Sequence, residues 1–340
     1  MNGFRQGKWK KSSTLAFDLI EAYWGGERGD TPGPEEGPSS TVLLLRKNRR
    51  SGWKETAIKS FFFANGLLAV IVLIGIFGIL LTTAIPAFRE ISLAEFAQKT
   101  WDPTSPEKQV YGLLSMIMST LMVTLGALVI ALPIGLGVAA YLSDVAHWRV
   151  REVVKPIVEI LAGIPSVVTG FLGIVLFGPI FARIFHTGNG LNALNGSFLL
   201  AIMSLPTIIS ISEDSLNAVP AAYSEASLAL GGSRWQTLLR VKLPAGLSGI
   251  IAAVMLGMGR AVGETMTVLM ATGNARAFPH GLMESLRTMT SNIAIELGEV
   301  PYFTTHYYAL FAIGLVLFLM TFLVNMVADI VLRKYQERES

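Results

Sequence analysis

The chain has 340 residues, 52% of them hydrophobic and 15% charged, with a formal net charge of +3, against about 25% charged for an average soluble domain. Cysteine is absent, which excludes disulfides, thiol nucleophiles and cysteine metal sites. Mean hydropathy is +0.54, and several apolar runs exceed the roughly 20 residues that cross about 30 Å of hydrocarbon, so the pattern predicts an all-α polytopic membrane protein.

Residues 1–55 read as a separate cytosolic extension, and 56–340 as the transmembrane domain. "GGERGDTPGPEEGPSS" (25–40) has the glycine, proline and charge content of a flexible linker. Lys8, Lys10 and Lys11 beside Trp9, followed by "STLAFDLIEAYW" (13–24), suit a short amphipathic helix on an anionic membrane surface, with a poorly ordered tail as the equal alternative. The apolar part of this N-terminus is short and broken by Asp18 and Glu21, so it does not read as a cleavable signal.

Six spans are predicted, at about 61–85, 112–142, 153–181, 196–211, 245–272 and 307–332. The third carries Pro165, Pro179 and four glycines, which predicts a kink or a break; the fourth is short and interrupted by Pro206. Such interruptions often flank a transport path, although kinked packing explains any one proline equally well. With the N-terminus inside, fifteen lysines and arginines fall on the inner flanks and loops beside the spans, against six on outer loops. That bias predicts both termini in the cytoplasm. Glu159, four residues after Lys155, suggests an i,i+4 ion pair at the inner end of the third span.

The inner loop 212–244 is too polar to span, yet it has helical patterning. Pro220 suits a first turn, Ala221–Leu230 reads as a helix, and Gly231-Gly232 stops it. Ser233 with Gln236 three residues on is a capping-box pattern that starts a second short helix. Leu228, Leu230, Trp235, Leu238 and Leu239 exceed what a solvated loop needs.

Glu225-Ala226-Ser227, then Gly231, then Val241-Lys242-Leu243-Pro244, resembles the EAA loop of ABC-transporter permeases, with Ser227 for alanine and Val241 for isoleucine as mild departures. The resemblance implies a type I importer permease fold whose coupling loop seats in a cytosolic ATPase dimer through Glu225, Ala226, Ser227, Gly231, Leu243 and Pro244. Two further stretches, "LAGIPSVVTGFLGIVLFGPI" (161–180) and "LGMGRAVGETMTVLMATGNA" (256–275), together with "SLRTMTSNIAIELGE" (285–299), resemble the C-type permease subunit of the two-permease phosphate importer. This likeness covers about residues 60–335. It implies a bacterial or archaeal inner membrane, a homologous second permease and an extracytoplasmic phosphate-binding protein. No nucleic-acid partner is expected, and membrane lipid surrounds the spans.

No Gly-x-x-x-x-Gly-Lys-Ser/Thr sequence occurs, so ATP and magnesium are expected on a partner ATPase, with no cofactor in this chain. The outer loop 273–305 offers a landing surface for a binding protein, or equally a surface that packs on other loops. Gly281–Glu299 is predicted helical, with Leu282, Leu286, Met289 and Ile293 along one side. None of His147, His186, His280 and His306 forms a spaced metal motif, and no catalytic residue is expected.

Arg260 and Glu264 are the only charges between Ala245 and Thr272. A charge in mid-span costs about 2.5–3.5 kcal/mol, so both should face the bundle interior or water. In a continuous helix they lie one turn apart and can pair on one face. Gly249, Ala253, Gly257 and Ala261 make a small-residue row every fourth position, which permits close helix contact. Three roles stand open for the charged residues: a forked guanidinium donor for an oxyanion, a gate in which Glu264 holds Arg260, or a permanent ion pair. Thr265, Thr267, Ser166, Thr169 and Thr207 are candidate hydroxyl donors along the same path. Two other functional readings remain: the same machine for sulfate, molybdate or phosphonate, and an ion-gradient-driven carrier using Arg260 and Glu264 as a relay.

Overall fold

The computed structural model describes residues 51–336; the expectations for the linker and the amphipathic segment lie outside these residues. The chain divides at Leu68, and the described part of the first unit is the beginning of helix α1 (Ser51–Glu90). Phe61, Phe62 and Phe63 are all exposed there, as a lipid-facing stretch requires.

Five helices are long and apolar enough to span: Thr56–Glu90, Leu114–Val145, Ser166–Phe185, Ala193–Ala218 and Thr305–Val327. A sixth span is a bent pair, Arg234–Ala245 and Leu247–Gly263, at 71° to one another. Six spans are therefore obtained with the bent pair as one. Among the described residues the strands are a two-residue antiparallel hairpin, β1 (Trp101–Asp102) with β2 (Val110–Tyr111), in the connection after α1 and the one-turn helix α2 (Leu93–Phe96).

At the centre, α3 (Leu114–Ala140) packs along α7 (Ala193–Ala218). Val123, Ala127 and Ala131 meet Leu200, Ala201 and Ile208, and small residues let the backbones close. A Cβ at Gly257 of α11 (Leu247–Gly263) would lie 2.8 Å from Ile208 Cγ1, so only glycine fits at that contact. Ala253 and Ala261 are buried on the same stripe. The predicted small-residue row is thus the face that α11 lays on α7. A second apolar cluster joins the end of α1 to α14 (Thr305–Gln336) through Ala84, Ala87, Leu310 and Ile313.

The third predicted span, 153–181, is two elements. Helix α4 (Trp148–Gly163) ends at Ile164 and Pro165, both extended, and a new helix begins at Ser166. It runs from α5 (Ser166–Leu172) through a π-turn into α6 (Gly178–Phe185). Proline at 165 cannot continue the hydrogen-bond ladder, which explains the break. Lys155 on α4 bonds Glu213 of α7 at 2.9 Å rather than Glu159. Glu213 has only 3% of its side chain exposed, and a buried carboxylate left without a cation would cost several kcal/mol. The fourth span is longer than predicted because Pro206 is accommodated inside α7.

Candidate functional site

The fifth segment is not one helix through residue 272. Helix α11 ends at Gly263, Glu264 is extended (φ −69°, ψ 130°), and α12 (Met266–Ala271) starts afresh. The expected Arg260–Glu264 pair does not form among the described residues, because the break turns the two side chains apart. Glu264 looks forward along the chain: its Oε1 accepts from the Thr267 amide at 3.5 Å and lies 3.4 Å from the Thr267 hydroxyl. Its carbonyl accepts from the Thr290 hydroxyl at 3.0 Å. Side-chain hydroxyls replace the backbone bonds that the break removed, as backbone at membrane depth requires.

The break at Glu264 faces the break at Pro165. The Thr169 and Thr267 hydroxyls lie 3.0 Å apart. Both reach the Ser166 carbonyl, at 2.8 and 3.0 Å, and both contact Met203 Sδ of α7. These two threonines are buried. The structure brings Ser166, Thr169, Glu264 and Thr267 together as a polar knot, in which the Thr169 and Thr267 hydroxyls already have partners and Ser166 takes part through its carbonyl. Thr265 is half-buried and bonds the Gly263 carbonyl at 3.3 Å.

Arg260 stands apart from that knot. It is exposed and has neither hydrogen bond nor ion pair among the described residues. The glycines on either side of it, Gly259 and Gly263, have no atom within 4 Å of an added Cβ. Leu256, one turn back, is 57% exposed. Helix α11 therefore has two unlike sides: the small-residue stripe buried on α7, and an open, glycine-flanked side carrying one guanidinium. A free guanidinium facing hydrocarbon would cost several kcal/mol, so that side faces water or another protein rather than lipid.

The loop between α7 and α11 has the predicted form, starting after Ala218 rather than at residue 212. Helix α8 (Ala221–Ala229) follows Pro220. Gly231 takes φ +84°, a left-handed conformation that glycine adopts without strain, and turns the chain. Helix α9 (Arg234–Thr237) starts with a complete capping box: the Gln236 amide donates to Ser233 Oγ and the Ser233 amide to Gln236 Oε1. Ser227 Oγ and Thr237 Oγ1, 2.9 Å apart, tie the two helices. No residue of α8 is buried, and Glu225, Ala226 and Gly231 are exposed. Leu230 is 90% exposed and Trp235 62%. Tyr223, Ala226, Leu230, Gly231 and Arg240 line an open cleft of about 580 Å³ between the helices. After a π-turn (Leu238–Lys242), Leu243 and Pro244 begin the one-turn helix α10 (Leu243–Ala245), at the bend into α11.

At the opposite end of the bundle lies a cluster that spacing in the sequence did not suggest. Glu296, at the end of α13 (Met289–Glu296), has four side-chain partners. Its Oε2 accepts from Trp101 Nε1 and meets His306 Nε2, both at 2.9 Å. Its Oε1 meets Arg276 at 3.2 Å and Arg287 at 3.0 Å. Helix α13 is shorter than the predicted 281–299, because residues before Thr288 are drawn into this cluster and into pairing of Leu286 with Gly273. Leu286 and Met289 are fully buried, whereas Leu282 is exposed.

Burial alone pushes the Glu296 carboxyl up, but the bonds from His306 and Trp101 and the charges of His306 and Arg276 outweigh it and hold the group below its ordinary value. Burial and then the neighbouring Arg276 lower Arg287, with Glu296 opposing. A carboxyl depressed in the folded state stabilises the fold above its unfolded pKa and loses that contribution as pH falls through the folded value. Glu296→Gln leaves two arginines without their carboxylate and should cost about 3 kcal/mol. The thermal midpoint of the detergent-solubilised protein is expected to drop. Wild type should lose stability on acidification through the carboxylate range, and the variant should show a flatter profile.

Comparison with known proteins agrees with this architecture. Residues 131–337 match the family described as binding-protein-dependent transport system inner membrane component. A probable ABC transporter permease, YqgH of Bacillus subtilis, is 38% identical over 223 residues, covering 66% of this chain and 72% of that protein. The phosphate transport system permease protein PstC of Haemophilus influenzae is 31% identical over 317 residues, covering 86% and 99%. PstC 1 of Mycobacterium tuberculosis is 34% identical over 286 residues, covering 74% and 85%. Among solved structures, a bacterial alginate ABC transporter aligns with TM-score 0.58 at 15% identity, over 83% of this chain and 97% of the other. An inward-facing MetNI methionine transporter aligns with TM-score 0.53 at 21% identity, over 66% and 95%. The structural likenesses speak for the fold alone.

Proposed function

Given that the chain belongs to the binding-protein-dependent transport system inner membrane component family, we propose that it is a permease subunit of an ATP-driven importer of inorganic phosphate. The observation that carries the reading is Arg260: a guanidinium in the last turn of α11, unpaired among the described residues, on an open side of the helix flanked by glycines. A planar fork of donors suits the tetrahedral oxyanion. The phosphate permeases of Haemophilus influenzae and Mycobacterium tuberculosis support the choice of anion.

In this reading the chain is a non-catalytic subunit of the inner membrane with both termini in the cytoplasm. A homologous permease covers the open side of α11, so that the path runs between two subunits. ATP and magnesium bind a cytosolic ATPase dimer, which holds the knob made by α8 and α9. An extracytoplasmic binding protein delivers phosphate to the opposite end. Closure of the ATPase dimer moves the loop and opens the path outward; hydrolysis resets it. Arg260 meets the anion, while the Thr169–Thr267 knot beside Glu264 holds two broken spans in register rather than offering free donors. That division favours an anion contact over a gate or a permanent pair.

The anion is tested by competition. Uptake of labelled phosphate into vesicles carrying the complete complex should be suppressed by excess unlabelled phosphate and little affected by equal sulfate, molybdate or phosphonate. Stronger suppression by one of those would reassign the substrate.

A further inference from the structure

Three stretches among the described residues are wound as π-helix: Tyr141–Val145, Gly173–Phe177 and Leu238–Lys242. A π-turn widens a helix at a cost and is often kept where function needs the altered geometry. Two of the three are joined side chain to side chain. Lys242 Nζ lies 2.7 Å from Asp144 Oδ1, with 11% and 22% of the two side chains exposed.

The surroundings of this pair give it a particular place. Helix α8 has no buried residue, so that helix is hardly held by the spans. The grip comes after it: Thr237, Leu238 and Lys242 are buried, and Ser215 Oγ of α7 donates to the Gly246 carbonyl at 2.8 Å. The turn bearing Asp144 is clamped in its own right. Arg151 Nε donates to the Leu142 carbonyl at 3.0 Å and Nη2 to the Ser143 carbonyl at 3.3 Å, fastening α4 to it. Lys155, one turn further along α4, bonds Glu213 of α7. Asp144 thus sits at the meeting point of the second span, α4 and α7, and among the described residues Lys242 is the side chain that ties the loop's exit to that point by an ion pair. As a contribution to stability such a pair is close to neutral against an apolar replacement of both partners, although removing one partner leaves the other charge buried. A specific link between two elements that move is a better account of its position.

We propose that Asp144 and Lys242 are positioning residues that transmit displacement of the 219–246 loop to the span Leu114–Val145. They touch neither anion nor nucleotide. The inference rests on the reading of that loop as the ATPase-coupling element. It predicts that breaking the pair uncouples hydrolysis from movement of the span, while the complex stays assembled.

The test uses the whole reconstituted complex in proteoliposomes, with ATP hydrolysis and labelled-phosphate uptake read in the same vesicles. Asp144→Asn should keep the ATPase bound and hydrolysing, yet lower uptake per ATP by about tenfold, the size of an ordinary coupling between sites. Lys242→Arg, which keeps the charge, should retain most of the coupling. Unchanged uptake per ATP in Asp144→Asn would overturn the proposal, and so would loss of ATPase co-purification, which would make the pair an assembly contact. A second readout is independent of the transported anion. The chain has no cysteine, so spin labels placed at Ala221→Cys, exposed at the start of α8 and outside the cleft, and Gly137→Cys report the separation of loop and span. ATP should leave that separation unchanged in the otherwise native chain and alter it when Asp144→Asn is added. An equal response in both backgrounds would overturn the link even if the transported anion is not phosphate. Wild-type vesicles that hydrolyse ATP without taking up phosphate would count against the functional reading alone.

Discussion

Arg260→Ala should abolish most ATP-dependent phosphate uptake while leaving the assembled complex intact. The two halves of this expectation come from different observations. The side chain is exposed and has no hydrogen bond or ion pair among the described residues, so truncation breaks no such bond and leaves no buried group unsatisfied. Its loss should leave the thermal midpoint within the usual range for an exposed substitution, about ±0.5 kcal/mol. Charge-assisted hydrogen bonds contribute about 1.5–3 kcal/mol each. Loss of a forked contact to phosphate therefore predicts a fall of about 100-fold or more. Arg260→Lys keeps the charge but loses the planar fork, and should lie between the two. Glu264→Gln removes the better acceptor for Thr267 and should act mainly on stability, by about 1 kcal/mol. Uptake unchanged in Arg260→Ala, measured at matched amounts of assembled complex, would take Arg260 out of the mechanism.

The second large effect is expected at Gly231. Its φ of +84° is a backbone state that a β-branched residue adopts only with strain, of the order of 1–3 kcal/mol. Nothing lies within 4 Å of a Cβ built there, so Gly231→Val acts through conformation and not through a clash. The turn fixes the angle between α8 and α9, and with it the positions of Glu225, Ala226 and Leu230 on the knob. Gly231→Val should lose the ATPase in co-purification and reduce uptake to background. The spans should stay folded, because no residue of α8 contributes to their core. Leu230→Asp gives an independent check at a side chain that is 90% exposed and makes no strained turn. It should weaken ATPase binding with no change in thermal midpoint. An ATPase that co-purifies fully with both variants would contradict the docking role.

Much of the architecture is legible in the sequence because local chemistry dictates it. The Ser233/Gln236 capping box, the stop at Gly231 and the stripe Gly249–Ala253–Gly257–Ala261 depend on residues within a few turns of one another, and the structure has all of them. The break at Glu264 was harder to read. Residues 245–272 are apolar enough to suggest one helix, and what pulls the chain out of it is tertiary: Thr290, twenty-six positions on, bonds the Glu264 carbonyl. The same cause hid the Glu296 cluster, since Trp101 and Glu296 are 195 residues apart. Lys155 met Glu213 rather than its helical neighbour Glu159 because burial, and not spacing, decides which carboxylate most needs a cation. The Thr169 and Thr267 hydroxyls, read from the sequence as possible donors, are spent on joining two broken spans, and Ser166 contributes its carbonyl to that contact. Arg260, expected within reach of Glu264, is left unpaired among the described residues by the break at Glu264.

The central claim, that this chain conducts phosphate under the control of a separate ATPase, is most directly tested by labelled-phosphate uptake into proteoliposomes. These would hold the chain with its second permease, ATPase and binding protein. Uptake is predicted to require internal ATP and every partner, and to persist when an uncoupler collapses ion gradients. Uptake that continues without the ATPase, or that stops on addition of the uncoupler while ATP remains, would contradict it.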